Sequence, residues 1–330
     1  MKIAIVKLSA LGDIIHAMVA LQYIKKARSD IQIDWIVEEK FAEVLRNNPD
    51  IDRILTVNLQ GIKQDKFQIF KEYNRIKYYT QNQYDLVIDA QSLFKSAVIA
   101  KLLGGKIAGF DWASCREGWA SLFYDSKIAC AYDEKTIDRN ALILSKPLGL
   151  EISSEQIMTK QPFLFYRQEN KQISDYFRND KKNIIFVIGS SWESRNYPKQ
   201  KFLKIAQQLQ ENCLVIWGNV QEQEGANWLA KEADNITAMP KMDINTLKAV
   251  IAKSDLLIGN DTGPTHMAWA LNKPSVTIFG PTPVSRVYQT KINKVVKSAS
   301  KVNPHKLDKN DFSIKDIKEK QILEIATDLL

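Results

Sequence analysis

The 330-residue sequence predicts an α/β protein built from two Rossmann-like domains. The length suits two domains of about 150 residues, each large enough to bury its own core. Short apolar runs alternate with amphipathic helical segments, an order that produces a parallel sheet with helices on both faces. This alternation begins at the N-terminus and begins again near residue 183.

The first half of the chain supplies one set of elements. Strands are predicted at 2–7, 33–37, 53–57 and 84–90, and helices at 13–28, 41–46 and 93–103. The first helix is the clearest, because Ile14, Met18 and Leu21 recur at helical spacing. A long polar and basic stretch, 58–83, precedes the fourth strand.

The second half repeats the pattern. Strands are predicted at 183–188, 213–217, 255–259 and 275–279, and helices at 201–209, 221–233, 244–252 and 264–271. Polar, mixed residues between 151 and 180 indicate a boundary near residue 165, which gives domains at 1–165 and 166–312 and an amphipathic C-terminal helix at 313–330. Ligands are then expected in a cleft between the domains, at the carboxyl ends of the strands.

The composition excludes several classes of protein. A hydrophobic content of 45% and a charged content of 25% are ordinary for a globular chain. A net charge of +8 indicates an anionic partner: nucleic acid, a phosphorylated ligand or a membrane surface. The odd number of thiols (Cys115, Cys130 and Cys213) suits a reducing cytosol. The apolar runs are too short to span a bilayer, and Lys7 and Asp13 interrupt any signal sequence, so we expect only peripheral membrane contact.

The first chemical motif is the turn Ser9–Asp13. Gly12 permits a tight turn, and Asp13 follows it at the start of a helix. Asp13 could cap that helix or act as a general base, and spacing alone favours the cap. The lone Gly12 does not make a dinucleotide-binding fingerprint.

The second motif is the segment 259–266. The backbone N–H groups of Thr262 and Gly263 would begin a helix and could bind an anion there. A structural cap by Asp261 is the competing interpretation. His266 would face the same pocket, although a single histidine is more often structural than catalytic.

Two further segments carry groups that could bind a nucleotide. Ser190, Ser191 and Arg195 follow a buried strand and are suitable phosphate donors, although an ordinary turn has the same composition. Glu222 follows another strand and could accept hydrogen bonds from ribose hydroxyls. The alternative for Glu222 is a charge on a helix surface.

The sequence contains no local metal motif. His16, His266 and His305 are too far apart for a helical metal site. Asp50 and Asp52 spell a D-x-D pattern, but they follow a proline at the entrance to a strand, where acidic turn residues are common. We therefore expect no metal there.

Several of these segments together match one family. The chain resembles the lipopolysaccharide heptosyltransferases, which are ADP-heptose-dependent bacterial glycosyltransferases. The matching segments are VKLSALGDIIHA, DAQSLFKSA, GFDWASCREGWASLFY, GNDTGPTHMAWAL and IFGPT. The N-terminal segments are most similar to members that add the first heptose to the Kdo sugar of the lipid A inner core.

The resemblance implies a GT-B fold, with the acceptor on the N-terminal domain and the nucleotide sugar on the C-terminal one. It also implies an inverting reaction without metal or cofactor, and a last helix that packs back on the first domain. The partners would be ADP-heptose, Kdo-lipid A and the cytoplasmic face of the inner membrane of a Gram-negative bacterium.

The resemblance also assigns residues. Asp13 matches the catalytic base, Arg116 matches an acceptor-side basic residue, and the donor site comprises Ser190, Ser191, Arg195, Glu222, Met242, Asp261, Thr262, Gly263 and His266. Arg195 stands where relatives have lysine, which keeps the charge and alters the geometry. Gln60 and Gly61 occupy a loop that is richer in arginine in relatives, and Lys63 and Lys66 are the expected substitutes.

Two alternatives remain at this point. A heptosyltransferase that acts later in the core would carry the same Asp13 and 261–266 motifs. A nucleic-acid-binding protein would explain the basic charge and the basic, aromatic stretch 63–79, although the same stretch suits an amphipathic helix beside a glycolipid. The nucleic-acid interpretation leaves 261–266 unexplained, so we expect no nucleic-acid partner.

Overall fold

The computed structural model describes residues 1–167, 171–304 and 306–330. It divides the chain into two compact units, Met1–Phe165 and Tyr166–Leu330. His305, one of the histidines considered above, lies outside the described residues.

The N-terminal unit is a parallel α/β sandwich. Its strands are β1 (Lys2–Val6), β2 (Gln32–Glu38), β3 (Arg53–Val57), β4 (Leu86–Asp89), β5 (Lys106–Phe110) and β6 (Ser126–Ile128). Its helices are α1 (Leu11–Ala27), α2 (Ala42–Leu45), α3 (Leu59–Gln64), α4 (Gln68–Tyr79), α5 (Phe94–Leu103), α6 (Thr136–Ser145) and α7 (Ser154–Met158). The strand order β3-β2-β1-β4-β5-β6 reverses between β1 and β4, and a crevice for ligands forms at such a point.

The C-terminal unit repeats this topology. Its strands are β7 (Asn183–Val187), β8 (Asn212–Ile216), β9 (Ile236–Ala238), β10 (Leu256–Asn260), β11 (Ser275–Phe279) and β12 (Asn293–Lys297). Its helices are α8 (Lys171–Ser174), α9 (Lys199–Leu209), α10 (Val220–Glu232), α11 (Ile244–Lys253), α12 (Gly263–Ala270) and α13 (Glu319–Leu329). The order β12-β11-β10-β7-β8-β9 reverses between β10 and β7.

The sequence pattern explains why these sheets form. The central strands are continuous apolar runs because helices cover both of their faces; β1 is buried from Ile3 to Val6, and β7 is buried throughout. Polar side chains therefore collect beyond the carboxyl ends of the strands, where the loops begin. The two-domain α/β architecture predicted from the sequence is thus confirmed.

The C-terminal helix contributes to the core of its own unit, where α13 packs on α9 and on the C-terminal sheet. That 313–330 also packs back on the N-terminal domain stays a prediction. Ile322 and Ala326 are fully buried in the core of that unit, and Lys204 pairs with Glu319 at 3.1 Å. The apolar face of the helix is therefore already used within its own unit.

The polar stretch 58–83 forms helices α3 and α4. The sequence analysis did not predict β5, β6, β9, β12 or α6. The outer strands β6 and β9 have only three residues each, too few to show a periodic pattern. Within the described residues, no helix combines the length and the apolar character that crossing a bilayer requires.

Candidate functional site

The predicted donor residues lie in loops at one edge of the C-terminal sheet. Parallel strands present their carboxyl ends at a single edge, so the loops after β7, β10, β8 and β9 converge there. These loops and the first turns of the helices that follow them carry the predicted donor residues, which in chain order are Ser190, Ser191, Arg195, Glu222, Met242, Asp261, Thr262, Gly263 and His266. β7 and β10 are neighbours at the point where the strand order reverses.

Asp261 is the centre of a buried polar cluster. Its Oδ2 lies 2.9 Å from Arg195 Nη2 and accepts a hydrogen bond from the Thr282 hydroxyl at 2.8 Å. His266 Nε2 lies 3.1 Å from its Oδ1. Burial opposes ionisation of this carboxyl, but the contact with His266 and the charge of Arg195 together hold its pKa well below the usual range. Asp261 is therefore a permanent anion that orients Arg195 and His266.

This arrangement decides the role left open for Asp261. A helix cap would direct its carboxylate at the backbone N–H groups of α12, whereas the carboxylate faces side chains instead. Thr262 is the N-cap residue of α12, and its side chain makes no capping hydrogen bond. The first turn of α12 thus offers N–H groups at the positive end of a helix dipole, as an anion site requires.

Asn260, which the sequence analysis did not single out, fixes the neighbouring loop to this cluster. Its side chain is fully buried; it accepts a hydrogen bond from the Tyr197 N–H at 3.0 Å and donates one to the Ile188 carbonyl at 2.8 Å. Both ends of the loop that carries Arg195 are therefore held by one side chain. Thr265 donates to the Asn260 carbonyl at 2.7 Å and completes the connection to α12.

A cavity of about 550 Å³ brings other predicted donor residues together. It is lined by Ser190, Ser191 and Glu222, and also by the cations of Lys199 and Lys315. Glu222 accepts a hydrogen bond from the Gly218 N–H at 2.7 Å, so its carboxylate is held in place rather than free on a helix surface. A cavity with hydroxyls, cations and one carboxylate suits a phosphorylated ribose compound.

Gly189 allows Glu222 to occupy this position. A Cβ atom at residue 189 would lie 2.1 Å from the Glu222 carboxyl carbon. Trp192 lies between two cations, with Arg195 at 5.4 Å and Lys309 at 4.9 Å from its ring centroid. Lys309 lies in the segment between β12 and α13, so this contact joins that segment to the loop after β7.

Met242 lies in the loop after β9 and is half-buried. This loop is fixed by the indole N–H of Trp217, which donates to the Met239 carbonyl at 2.6 Å. Met242 therefore lies at the carboxyl edge of the sheet, although no described contact joins it to the Asp261 cluster.

The N-terminal unit holds the predicted base at its own point of strand reversal. Asp13 lies in the first turn of α1, directly after β1, and is half-buried. Its Oδ2 accepts a hydrogen bond from the Ala10 N–H at 3.3 Å, so the capping role is present.

Two polar side chains, the half-buried Gln91 and the buried Lys7, support the loop before Asp13. The Gln91 side-chain oxygen accepts hydrogen bonds from Leu8 N–H at 3.0 Å and Ser9 N–H at 3.1 Å. Lys7 Nζ donates to the Ala90 carbonyl at 2.8 Å. Burial lowers the pKa of Lys7, and the nearby charges of Asp13 and Asp89 oppose this effect.

Asp89 in turn fixes Gln91. Its carboxylate accepts hydrogen bonds from the Gln91 N–H at 2.9 Å, the Ser96 hydroxyl at 2.8 Å and the Tyr124 hydroxyl at 2.7 Å. Complete burial raises the pKa of Asp89. The sequence placed Asp89 and Gln91 in a matching segment without giving them a role, because Tyr124 lies 35 residues from Asp89 and the partners of Gln91 lie more than 80 residues away.

The predicted acceptor residues are not brought together. Lys63 lies in α3, Lys66 lies between α3 and α4, and Arg116 follows β5; all three side chains are exposed. The backbone N–H groups of Gln60 and Gly61 bond to Glu38 and Asn58 at the start of α3.

A polar cavity of about 380 Å³ lies near Gln60 and Gly61 at the carboxyl end of β2. Lys40, which the sequence analysis missed, also lines it.

The D-x-D segment has a structural role. Asp52 accepts hydrogen bonds from the Ile33 N–H at 2.7 Å and from Lys25 Nζ at 2.9 Å. Across residues 1–167, 171–304 and 306–330, no group of three or more histidine, cysteine, aspartate or glutamate side chains is arranged to hold a metal ion.

Comparisons with known proteins identify the family of the chain. Residues 75–317 match the model of glycosyltransferase family 9 (heptosyltransferase). The chain is 37% identical to lipopolysaccharide heptosyltransferase 1 of Campylobacter coli over 100% of this chain and 99% of that protein. It is 30% identical to lipopolysaccharide heptosyltransferase 1 of Pseudomonas aeruginosa over 86% of this chain and 79% of that protein.

A structure of Escherichia coli heptosyltransferase WaaC with ADP-2-deoxy-2-fluoro heptose has the same fold, with a TM-score of 0.81, 24% identity and full coverage of both chains. Two Rossmann-like units with this topology are the GT-B architecture expected from the sequence. The chain therefore belongs to glycosyltransferase family 9, the heptosyltransferases.

Proposed function

We propose that this glycosyltransferase moves L-glycero-D-manno-heptose from ADP-heptose to the Kdo sugar of Kdo-lipid A, the first heptose transfer of the lipopolysaccharide inner core. The observation that carries the proposal is the 37% identity, over the full chain, to a protein named lipopolysaccharide heptosyltransferase 1. The buried Asp261–Arg195 pair beside the start of α12 supports it, because it provides fixed donors for a diphosphate.

The C-terminal unit would bind the donor. The diphosphate would accept hydrogen bonds from the N–H groups of Thr262 and Gly263, from Ser190 and Ser191, and from Arg195. Glu222 would bind the ribose, Met242 would contact the adenine, and His266 would contact the heptose. Negative charge grows on the leaving diphosphate during transfer, so donors fixed in advance stabilise the transition state more than the ground state.

Asp13 would act as the general base. It would remove the proton from a Kdo hydroxyl, whose oxygen attacks the anomeric carbon of the heptose. The bond from that carbon to the diphosphate breaks on the opposite face, so ADP leaves and the configuration inverts. A positioned base contributes typically about 10²–10⁴-fold. The cationic and N–H donors named above would do the work that a metal ion does in other transferases, so we propose a metal-independent reaction.

The acceptor would bind to the N-terminal unit, where Lys63, Lys66 and Arg116 are exposed cations suited to the anionic Kdo and lipid A phosphates. An acceptor of this kind belongs to a membrane. We therefore propose that the protein works in the cytoplasm, peripherally bound to the inner face of the cytoplasmic membrane.

A transfer assay with ADP-heptose tests the proposal. We expect product with Kdo-lipid A and little with an already heptosylated core; the reverse preference would select a heptosyltransferase that acts later. The same assay with a chelator should leave the rate unchanged, and a rate that falls and returns with added cation would contradict the metal-free mechanism.

A further inference from the structure

Helix α4 and the residue before it expose most of their large apolar side chains. Large apolar residues in and beside α4 are exposed, with 81% of Phe67, 68% of Phe70 and 67% of Tyr78 accessible. Ile69 and Tyr73 are exposed as well. Clusters of exposed aromatic residues are uncommon on a protein surface that meets only water.

The buried side of α4 explains this orientation. On this side, Glu72 and Ile76 are buried in the N-terminal unit. The Glu72 carboxylate accepts a hydrogen bond from the Asn58 N–H at 2.9 Å and lies 3.3 Å from Arg75 Nη1. A polar anchor thus fixes the helix. At 100° per residue, Phe67, Phe70 and Tyr78 fall on the side opposite Glu72 and Ile76.

The charges on the outer side are nearly all positive. Lys63, Lys66, Lys71 and Lys77 are exposed, while Glu72 is buried and paired with Arg75. Asp65 is the exposed acid in the stretch 59–79. Lysines that surround exposed aromatic side chains suit the interface of an anionic lipid bilayer, because the rings can enter the boundary between headgroups and acyl chains while the ammonium groups contact the headgroup phosphates.

We propose that this α3–α4 face, made of Phe67, Phe70, Tyr78 and the lysines around them, docks the protein on an anionic lipid bilayer. The aromatic rings enter the headgroup region and the lysines contact lipid phosphates. The inference rests on the proposed peripheral location and names the surface responsible for it. The docking element belongs to the same unit as Asp13, so it would bring the acceptor-binding unit to its membrane-bound acceptor.

Vesicle binding tests the inference on the full-length protein. We expect the wild type to cosediment with vesicles of phosphatidylcholine containing about one-third phosphatidylglycerol, and to bind pure phosphatidylcholine weakly. The triple variant F67S/F70S/Y78S should lose about tenfold or more in vesicle affinity. K71Q/K77Q should lower affinity and weaken its dependence on salt.

Val220→Ser is the matched control, because Val220 is 68% exposed in the other unit. It should bind vesicles as the wild type does. Undiminished vesicle binding by the triple variant, or absence of binding by the wild type, would overturn the inference. A wild-type dimer in light scattering that the triple variant abolishes, without vesicle binding, would show that a second copy covers this face and would also overturn it.

A second readout separates this inference from the proposed function. On a deacylated, water-soluble acceptor, the triple variant should retain wild-type turnover, because its substitutions lie on the outer surface. If the wild type binds vesicles but transfers no heptose, the proposed function fails and the docking surface stands. If turnover on the soluble acceptor falls with the triple variant, this face serves the reaction itself and not the membrane.

Discussion

Replacing Arg195 with methionine tests whether Arg195 and Asp261 form a buried ion pair that stabilises the C-terminal unit. The guanidinium is about 10% exposed and lies 2.9 Å from a carboxylate that is 2% exposed. At an effective dielectric constant of 20, that separation corresponds to about 6 kcal/mol of attraction. Desolvation offsets much of it, but methionine leaves the Asp261 carboxylate buried without its main counter-charge, and breaking such a pair costs about 3–5 kcal/mol.

The expected loss is measurable by thermal or urea unfolding. For a unit of this size, each kcal/mol shifts Tm by about 2–4 °C, so Arg195→Met should lower the Tm of the C-terminal unit by about 6–20 °C. Asp261→Asn combined with Arg195→Met should cost less than the sum of the single variants, because the pair is removed together.

Lys309→Met is the matched control for the comparison of the Arg195 and Asp261 single and double variants. Lys309 contacts the same Trp192 ring but is exposed, so its loss should cost less than about 1 kcal/mol. A loss below about 1 kcal/mol for Arg195→Met, or strictly additive single and double variants, would refute the assignment of a coupled, buried ion pair.

Three further predictions follow from other parts of the structure. Gln91→Leu removes the acceptor of two N–H groups in the loop before Asp13, so kcat should fall about 10–100-fold with unchanged ADP-heptose affinity, and Gln91→Glu should restore most of it; equal kcat for both variants would exclude a positioning role. Gly189→Ala should leave stability within about 1 kcal/mol but weaken ADP binding, measured by calorimetry, because the methyl group displaces Glu222; unchanged ADP affinity would remove Glu222 from the ribose site. Burial lowers the pKa of Lys160 to about 7 from 10.5, so the unfolded chain binds more protons between these values and stability rises with pH across that window. Lys160→Met should therefore stabilise by about 2–4 kcal/mol at pH 6 and little near pH 10, and a gain independent of pH in urea unfolding would contradict this.

The sequence was sufficient for the parts of the fold that depend on local pattern. Strands such as β7 and β10 are apolar runs bounded by turn residues, so their positions could be predicted to within a residue or two. Helix α4 does not follow this pattern, because its buried side carries Glu72 and its outer side carries aromatic residues; the amphipathic stretch 63–79 therefore did not show which of its sides is buried. The amphipathic pattern of α13 indicates that one face of the helix is buried, but it does not identify the elements against which that face packs.

The candidate site was predictable to a similar extent. Asp13 and the loop 261–263 stand out because a strand, a turn and a helix follow each other directly in the sequence. Asn260, Thr282 and Gln91 were missed because these hydrogen-bond partners lie 21 to more than 80 residues away, and one sequence does not pair such positions. The sequence did not show whether the Glu222 carboxylate is mobile on a helix surface or held in place. Its hydrogen bond with the Gly218 N–H, which forms only in the folded chain, shows that it is held in place.

The central claim is that Asp13 supplies the base for heptosyl transfer. Asp13→Asn tests it most directly, because asparagine keeps an oxygen that can accept from the Ala10 N–H while removing the basicity. The account predicts ADP-heptose affinity close to wild type, measured by calorimetry, with transfer to Kdo-lipid A reduced by about 10²–10⁴-fold. Transfer by Asp13→Asn at a rate comparable to the wild type would contradict the account.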